Sequence, residues 1–396
     1  MVFYRSLGEI PRRRHTQFRD PATGELYYEE MQGEEGFSWT QSFLYHRKLP
    51  TVITAADSVE LESRELVTND PLLPRHVLTH KLGTVSDPVT GRTVIVGNAD
   101  LTVSYVAATE SSGLYRNAIG DELCFVESGS AVLESPYGRL AVGEGDYVVI
   151  PTSTTHRWVL TSDELRLLVV EGTGSGHIRP PKRFMSPVGQ FLDGSPFNER
   201  DLRAPDELIQ EEGEVEVVVR TRTGCTRYQY AFHPFDVVGW DGYNYPYALN
   251  ISDYMPSTGA LHLPPPTYVT FEGPGFVVCS FVPRLFDYHP DAVKVPYAHS
   301  NVDSDEVLFY TGDFISRAGT GIEQGSMSLH PAGYIHGPQP GSHEKTLEVK
   351  STTETAVMID TFAPLQIGAA ALGVEDPAYP WSWARGTGQA VAADGR

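Results

Sequence analysis

From about residue 76 onward, short apolar runs broken by turn residues set the pattern of the chain. Leu101–Val106, Leu123–Val126, Ala131–Glu134, Tyr147–Ile150 and Leu165–Val170 are rich in the β-branched and aromatic residues of strands. Gly, Asp and Ser separate most of them at short intervals, a spacing that predicts a sandwich or barrel. Gly172-Thr173-Gly174-Ser175-Gly176 and Pro180-Pro181 close this unit. A second β-rich set holds Thr267–Phe271, Phe276–Val282, the stretch Pro296–Tyr310 and Thr355–Phe362. The pattern predicts an extension over residues 1–75, a first barrel over 76–180, a connector over 181–225, a second barrel over 226–365 and a tail over 366–396. The connector is acidic, with a short helix expected at Asp206–Glu212. In the extension, Gln41–Arg47 reads as a strand at a sheet edge, rich in aromatics and cations.

The two β-rich units share a plan. The first reads Tyr115-Arg116-Asn117, Asp121-Glu122, an apolar run, Gly145, then Pro151 and His156. The second reads His299-Ser300-Asn301, Asp305-Glu306, an apolar run, Gly325, then Pro331 and His336. This is an internal repeat of one supersecondary unit. It resembles a pair of cupin barrels, which implies an all-β fold: two duplicated double-stranded β-helices with an N-terminal extension. Tyr115 stands where the second copy has His299, so the first barrel is expected to carry no metal.

Composition narrows the partners. With 51 acidic and 30 basic residues the formal charge is −21, which argues against nucleic acid and anionic membrane surfaces. No run of 18 apolar residues occurs and the N-terminus lacks an apolar signal core, so a cytoplasmic location is expected. The three cysteines are scattered and form no CxxC pair, which makes a zinc or disulfide framework improbable.

The chemistry concentrates in the second copy. His299, His336 and one acid offer two neutral imidazoles and a carboxylate, a facial set that leaves open positions on Fe(II) for a substrate and O2. Alternate residues of a strand share a face, so Glu306, Leu308 and Tyr310 point one way and Asp305, Val307 and Phe309 the other. Either acid is a candidate ligand. Glu306 is favoured because Glu122 repeats it at the same offset from Tyr115.

The blocks around this set resemble the homogentisate 1,2-dioxygenase family. That family's Pro-Tyr-Tyr-His-x-Asn and Ser-Glu are answered by Pro296-Tyr297-Ala298-His299-Ser300-Asn301 and Ser304-Asp305-Glu306. Its Ser-Leu-His…Pro-His-Gly-Pro appears as Ser328-Leu329-His330…Ile335-His336-Gly337-Pro338. Gly239–Tyr247 resembles its Trp-His-Gly-Asn-Tyr-x-Pro-Tyr, and Ser42–Pro50 echoes its Ser-Trp-Leu-Tyr-Arg-x-x-Pro with one residue extra. The resemblance implies Fe(II) on His299, Glu306 and His336. It also implies His330 beside the substrate, Tyr297 in the pocket, a small aromatic substrate with O2, and a homo-oligomer. Asp241 stands where the family has a histidine that handles the hydroxyl proton, and His46 where it has an arginine. Asp241 and His330 are thus the expected proton carriers, and Tyr297, His330 and His46 the expected substrate contacts. Two other functions fit the same pattern: a cupin enzyme acting on gentisate, hydroquinone or a related diphenol (or an isomerase with another metal), and a non-catalytic small-molecule-binding bicupin.

Overall fold

The computed structural model describes residues 3–60, 64–173, 176–260, 268–312, 314–317 and 320–389. Gly174, Ser175, Thr267 and the end of the tail lie outside the described residues. Strands dominate, and the two α-helices among the described residues, Ser342–Thr346 and Ser382–Gly386, have five residues each. The chain is all-β.

Two sheets organise it. An eight-stranded sheet has Glu122–Ser128, Leu165–Gly172 and Leu101–Ala108 at its centre. A six-stranded sheet runs Val269–Gly273, Phe276–Phe281, Ala356–Thr361, Asp305–Tyr310, Ser326–His330 and Arg75–Val77. The repeat read from the sequence recurs in the backbone. Gly145 and Gly325 both take a positive φ (82° and 74°), and their amides donate to Val126 O and Tyr310 O at 2.9 Å each. An L side chain is strained at such φ, so the hairpin into the next strand needs glycine in both copies.

Alternation within the central strands decides what faces what. Leu123, Phe125, Tyr105 and Leu168 belong to the cluster that includes Val307, Phe309, Phe271 and Ile359. Their neighbours Cys124, Val126, Leu167 and Val169 join a separate cluster inside the first barrel. The sheets therefore pack face to face, with Tyr105 and Phe309 6.0 Å apart and the Tyr147 hydroxyl 2.8 Å from Ser280 Oγ. Burying Val307 and Phe309 there turns Glu306 and Leu308 to the opposite face.

The strand partners redraw the expected boundaries. Val215–Thr221 pairs in parallel with Leu114–Asn117, and Tyr247–Asn250 pairs with Asp146–Ile150, so chain from the connector and the expected second barrel completes the first half. In the other direction, Arg75–Val77 pairs with Ser326–His330 at the edge of the second sheet, and Gln366–Gly368 returns to Thr93–Gly97. Each half thus covers an edge of the other that would otherwise expose unpaired backbone groups. No helix forms at Asp206–Glu212: the segment is extended, Arg139 N donates to Glu207 O at 2.8 Å, and Ile209 is drawn into the cluster of Val217 and Phe235. Gln41–His46 is not an edge strand either. It lies between Tyr28–Gly33 and Val237–Gly242, and five of its six residues are buried.

Candidate metal centre

His299 and His336 sit on two loops joined by a single antiparallel bridge. His299 N donates to His336 O at 2.7 Å and His336 N to His299 O at 2.8 Å. This brings the two imidazoles to 4.3 Å between centroids. Glu306, at the start of Asp305–Tyr310, projects between them. One ligand atom from each of His299, Glu306 and His336 lies within 4.8 Å of the others.

The proton arrangement leaves an opening for a cation. His336 Nδ1 lies 3.2 Å from Tyr334 O, and a carbonyl can only accept, so Nδ1 carries the proton. In the neutral ring Nε2 then offers a lone pair. That nitrogen is buried without a hydrogen-bond partner, 3.3 Å from Glu306 Oε1. A buried lone pair facing a carboxylate fits a divalent metal. Burial alone would push the Glu306 carboxyl up. Its contacts with His299, His330 and His336 outweigh burial and hold it well below the ordinary carboxylate range.

The two neighbouring acids have different work. Asp305 accepts from the backbone amides of Ala332 and Leu365 at 2.7 Å each and ties two loops together. Asp121 does the same in the first copy, accepting from Thr152 N (2.8 Å) and Ile178 N (2.9 Å).

His330 is fully buried behind Glu306 and does not line the cavity described below. Burial pushes its pKa down to about 3, so the ring is neutral. Its Nδ1–H donates to Glu306 Oε1 (2.8 Å), and its Nε2 accepts from the Tyr379 hydroxyl (2.9 Å). Expected beside the substrate, His330 stands here behind Glu306 and bonds to its carboxylate.

His299 and Glu306 line a cavity of about 520 Å³ with Tyr268, Phe281, Leu308, Phe314 and Met358. Tyr297 lies at its rim, and His336 is buried behind its neighbour Gly337 in the wall. Sequence reasoning missed Asp360, which shares the cavity face of Ala356–Thr361 with Met358 and accepts from Asn301 Nδ2 at 3.3 Å. Burial and the nearby Glu306 charge raise Asp360 to about 7. One acid at an alternate position in an apolar strand is the signal that could have found it.

Asp241 and His46 do not line this cavity. Asp241 lies within the strand Val237–Gly242, not in a turn, and accepts from the Tyr4 hydroxyl (3.0 Å) and from Arg14. His46 is sealed between Asp236 (2.6 Å) and Glu30 (2.9 Å). Burial would lower its pKa, but the two carboxylates outweigh it and raise it to about 9. Both residues are held by partners distant in sequence, away from this cavity.

The equivalent position in the first barrel is filled differently. Tyr115 and His156 form the matching bridge, and His156 Nδ1 lies 3.1 Å from Thr154 O, as His336 does from Tyr334 O. Beside Glu122, however, lies Arg92 Nη2, 3.0 Å from Oε2. A guanidinium sits on the carboxylate that matches Glu306.

A family model described as homogentisate 1,2-dioxygenase N-terminal matches residues 79–251. Homogentisate 1,2-dioxygenase of Emericella nidulans is 27% identical over 277 residues, covering 65% of this chain and 60% of that protein. The Rhodopseudomonas palustris enzyme of the same name is 26% identical, covering 82% and 74%. A Saccharolobus solfataricus protein named "Putative dioxygenase" is 40% identical over 391 residues, covering 97% of this chain and 99% of that protein. The chain belongs to the homogentisate 1,2-dioxygenase family. Among solved structures, a cupin 2 conserved barrel domain protein from Leptotrichia buccalis aligns over 76% of this chain and all of that one, at 9% identity and a TM-score of 0.33. As a member of that family the all-β chain is a dioxygenase enzyme, and membership implies a metal cofactor. No helix among the described residues is long and apolar enough to cross a membrane.

Proposed function

We propose that this chain is an Fe(II)-dependent dioxygenase that opens the ring of a para-diphenol such as homogentisate. His299, Glu306 and His336 would hold the iron. The observation that carries the reading is their convergence within 4.8 Å, with His299 and Glu306 on the wall of an aromatic-lined cavity. Bound there, Fe(II) would supply the redox chemistry between substrate and O2. The protein's part is positional. His330 orients Glu306 through Nδ1, and Tyr379 orients His330. Phe281, Leu308, Phe314 and Met358 seat the ring and exclude water. In the first barrel, Arg92 beside Glu122 supports the reading that no metal binds there.

Because Asp241 and His46 are engaged elsewhere, gentisate or hydroquinone stands as the second reading of the substrate. Anaerobic Fe(II) reconstitution followed by oxygen uptake with homogentisate, gentisate and hydroquinone tests both. Uptake with homogentisate is expected. Uptake with another diphenol alone would keep the mechanism and change the substrate. A protein that binds these compounds without consuming oxygen would be a non-catalytic binder.

A further inference from the structure

The cavity also carries acids: Glu306, Glu354 and Asp360 line it together. A substrate bearing its own carboxylate would be repelled unless a fixed cation faced it. His46 is sealed away. Arg284 lines the cavity but is already matched, 3.3 Å from Glu354 and packed among the rings of Tyr268, Phe281 and Phe286. Lys294 is only half-buried and donates to Asp287 O at 2.6 Å.

Arg317 differs from both. It ends the short turn Ile315–Arg317, is 5% exposed, and lines the cavity with Ser316, Gly337 and Pro338. Its direct contacts are neutral: Nη1 donates to Gly337 O at 2.6 Å and the guanidinium lies over the Trp383 ring at 5.8 Å, while the Glu306 charge acts on it from beyond ion-pair distance. Its Nε is buried without a hydrogen-bond partner. Among the described residues no carboxylate oxygen comes within the 4.0 Å of an ion pair with it, whereas buried Arg92 and Arg220 have Glu122 and Glu171. A buried charge without a paired carboxylate is costly, and a ligand carboxylate in the cavity would supply that partner. The guanidinium's planar fork also matches a carboxylate.

We propose that Arg317 anchors the carboxylate of an acid-bearing aromatic substrate in this cavity. The inference rests on the cavity being the substrate site of the proposed dioxygenase. Arg317 bonds to the residue next to His336, so an acid held there keeps its ring near the metal-binding triad and against the wall of Leu308, Phe314 and Met358.

The test is anaerobic calorimetry of the metal-loaded protein with two probes of similar size, homogentisate and the neutral methylhydroquinone. The wild type is expected to favour homogentisate at least tenfold. R317Q should bring the ratio of the two affinities towards one, R317K should retain part of it, and R284Q should retain more of it than R317Q. Equal binding of the two probes by the wild type, an unchanged ratio in R317Q, or a greater loss in R284Q would each overturn the proposal. If R317Q does not fold, R317K against R284Q decides by the same ordering. Binding is read without turnover, so an enzyme that consumes no oxygen would sink the dioxygenase reading and leave this result intact.

Discussion

Replacing Arg92 by methionine tests what holds the first barrel together where the second has its triad. Arg92 is buried, with Nη2 3.0 Å from Glu122 and Nη1 3.6 Å from Glu171. In R92M, Glu171 keeps Arg220 at 2.6 Å and Arg64 at 2.7 Å. Glu122 keeps only Asn117 Nδ2 at 2.9 Å, so the loss falls on one buried carboxylate. Breaking a buried pair in this way costs about 3–5 kcal/mol. Replacing both charges should cost far less, about 1 kcal/mol, because R92M/E122Q strands neither. Burial pushes Glu122 up, but Arg92 and His156 outweigh it and hold it at about 2. Its contribution is thus present above the unfolded value and lost as pH falls through about 2. In R92M the carboxyl keeps His156 and Asn117 but loses the largest charge that opposes burial, so it is pushed up from its wild-type value and takes a proton earlier as pH falls. The deficit of R92M should therefore be largest near neutral pH and shrink in acid. Urea midpoints of wild type, R92M, E122Q and R92M/E122Q at pH 7 and pH 4 measure all of this. A double variant no more stable than R92M, or a deficit that grows in acid, would refute the reasoning.

Three further outcomes follow from the geometry. E306A should fold and hold no iron. D305A should hold iron but melt lower, because two backbone amides lose their acceptor at about 1–3 kcal/mol each; metal analysis beside thermal melts would expose an exchange of these roles. His46, raised to about 9, contributes stability that is complete below about pH 6.5 and is lost as pH rises through 9, up to about 3 kcal/mol. Urea midpoints at pH 6, 7.5 and 9 should fall in the wild type and stay flatter in H46Q; parallel curves would contradict the ion cluster. H330A should weaken metal binding about 10- to 100-fold and Y379F by less, read by chelator competition; unchanged affinity in folded H330A would remove His330 as the prop of Glu306.

The duplicated barrel was legible because its signals are local. The glycine that turns each hairpin, the acid pair before each apolar run and the histidine five residues after each proline all lie within one copy. The choice between Asp305 and Glu306 turns on parity, which the sequence leaves open: one face of the strand packs on the first sheet, and only the folded chain shows which. What escaped reading depends on partners far along the chain. His46 is fixed by Asp236, 190 positions away, and Asp241 by Tyr4 and Arg14 across more than 200. Nothing near either residue announces those partners. The exchange of edge strands is equally hidden, because Arg75–Val77 is short and its ladder lies with Ser326–His330. Arg317 and Tyr379 gain meaning only when the tail folds back over the site.

The two copies show how one scaffold can divide its work. Asp121 and Asp305 do the same job, each accepting from two backbone amides. Glu122 and Glu306 sit one residue on, turned inward, and there the copies diverge: one carboxylate faces an arginine, the other two imidazoles. The chain's own guanidinium faces the carboxylate of the first copy. That barrel can then serve as a rigid support for the second. Tyr105 and Tyr147 press on Phe309 and Phe271, the face opposite Glu306 and Leu308. A metal site needs its ligands held to a fraction of an ångström by packed elements behind them. Here the copy carrying the arginine provides that packing, which gives the strand bearing Glu306 a fixed back and leaves its other face free to line a cavity.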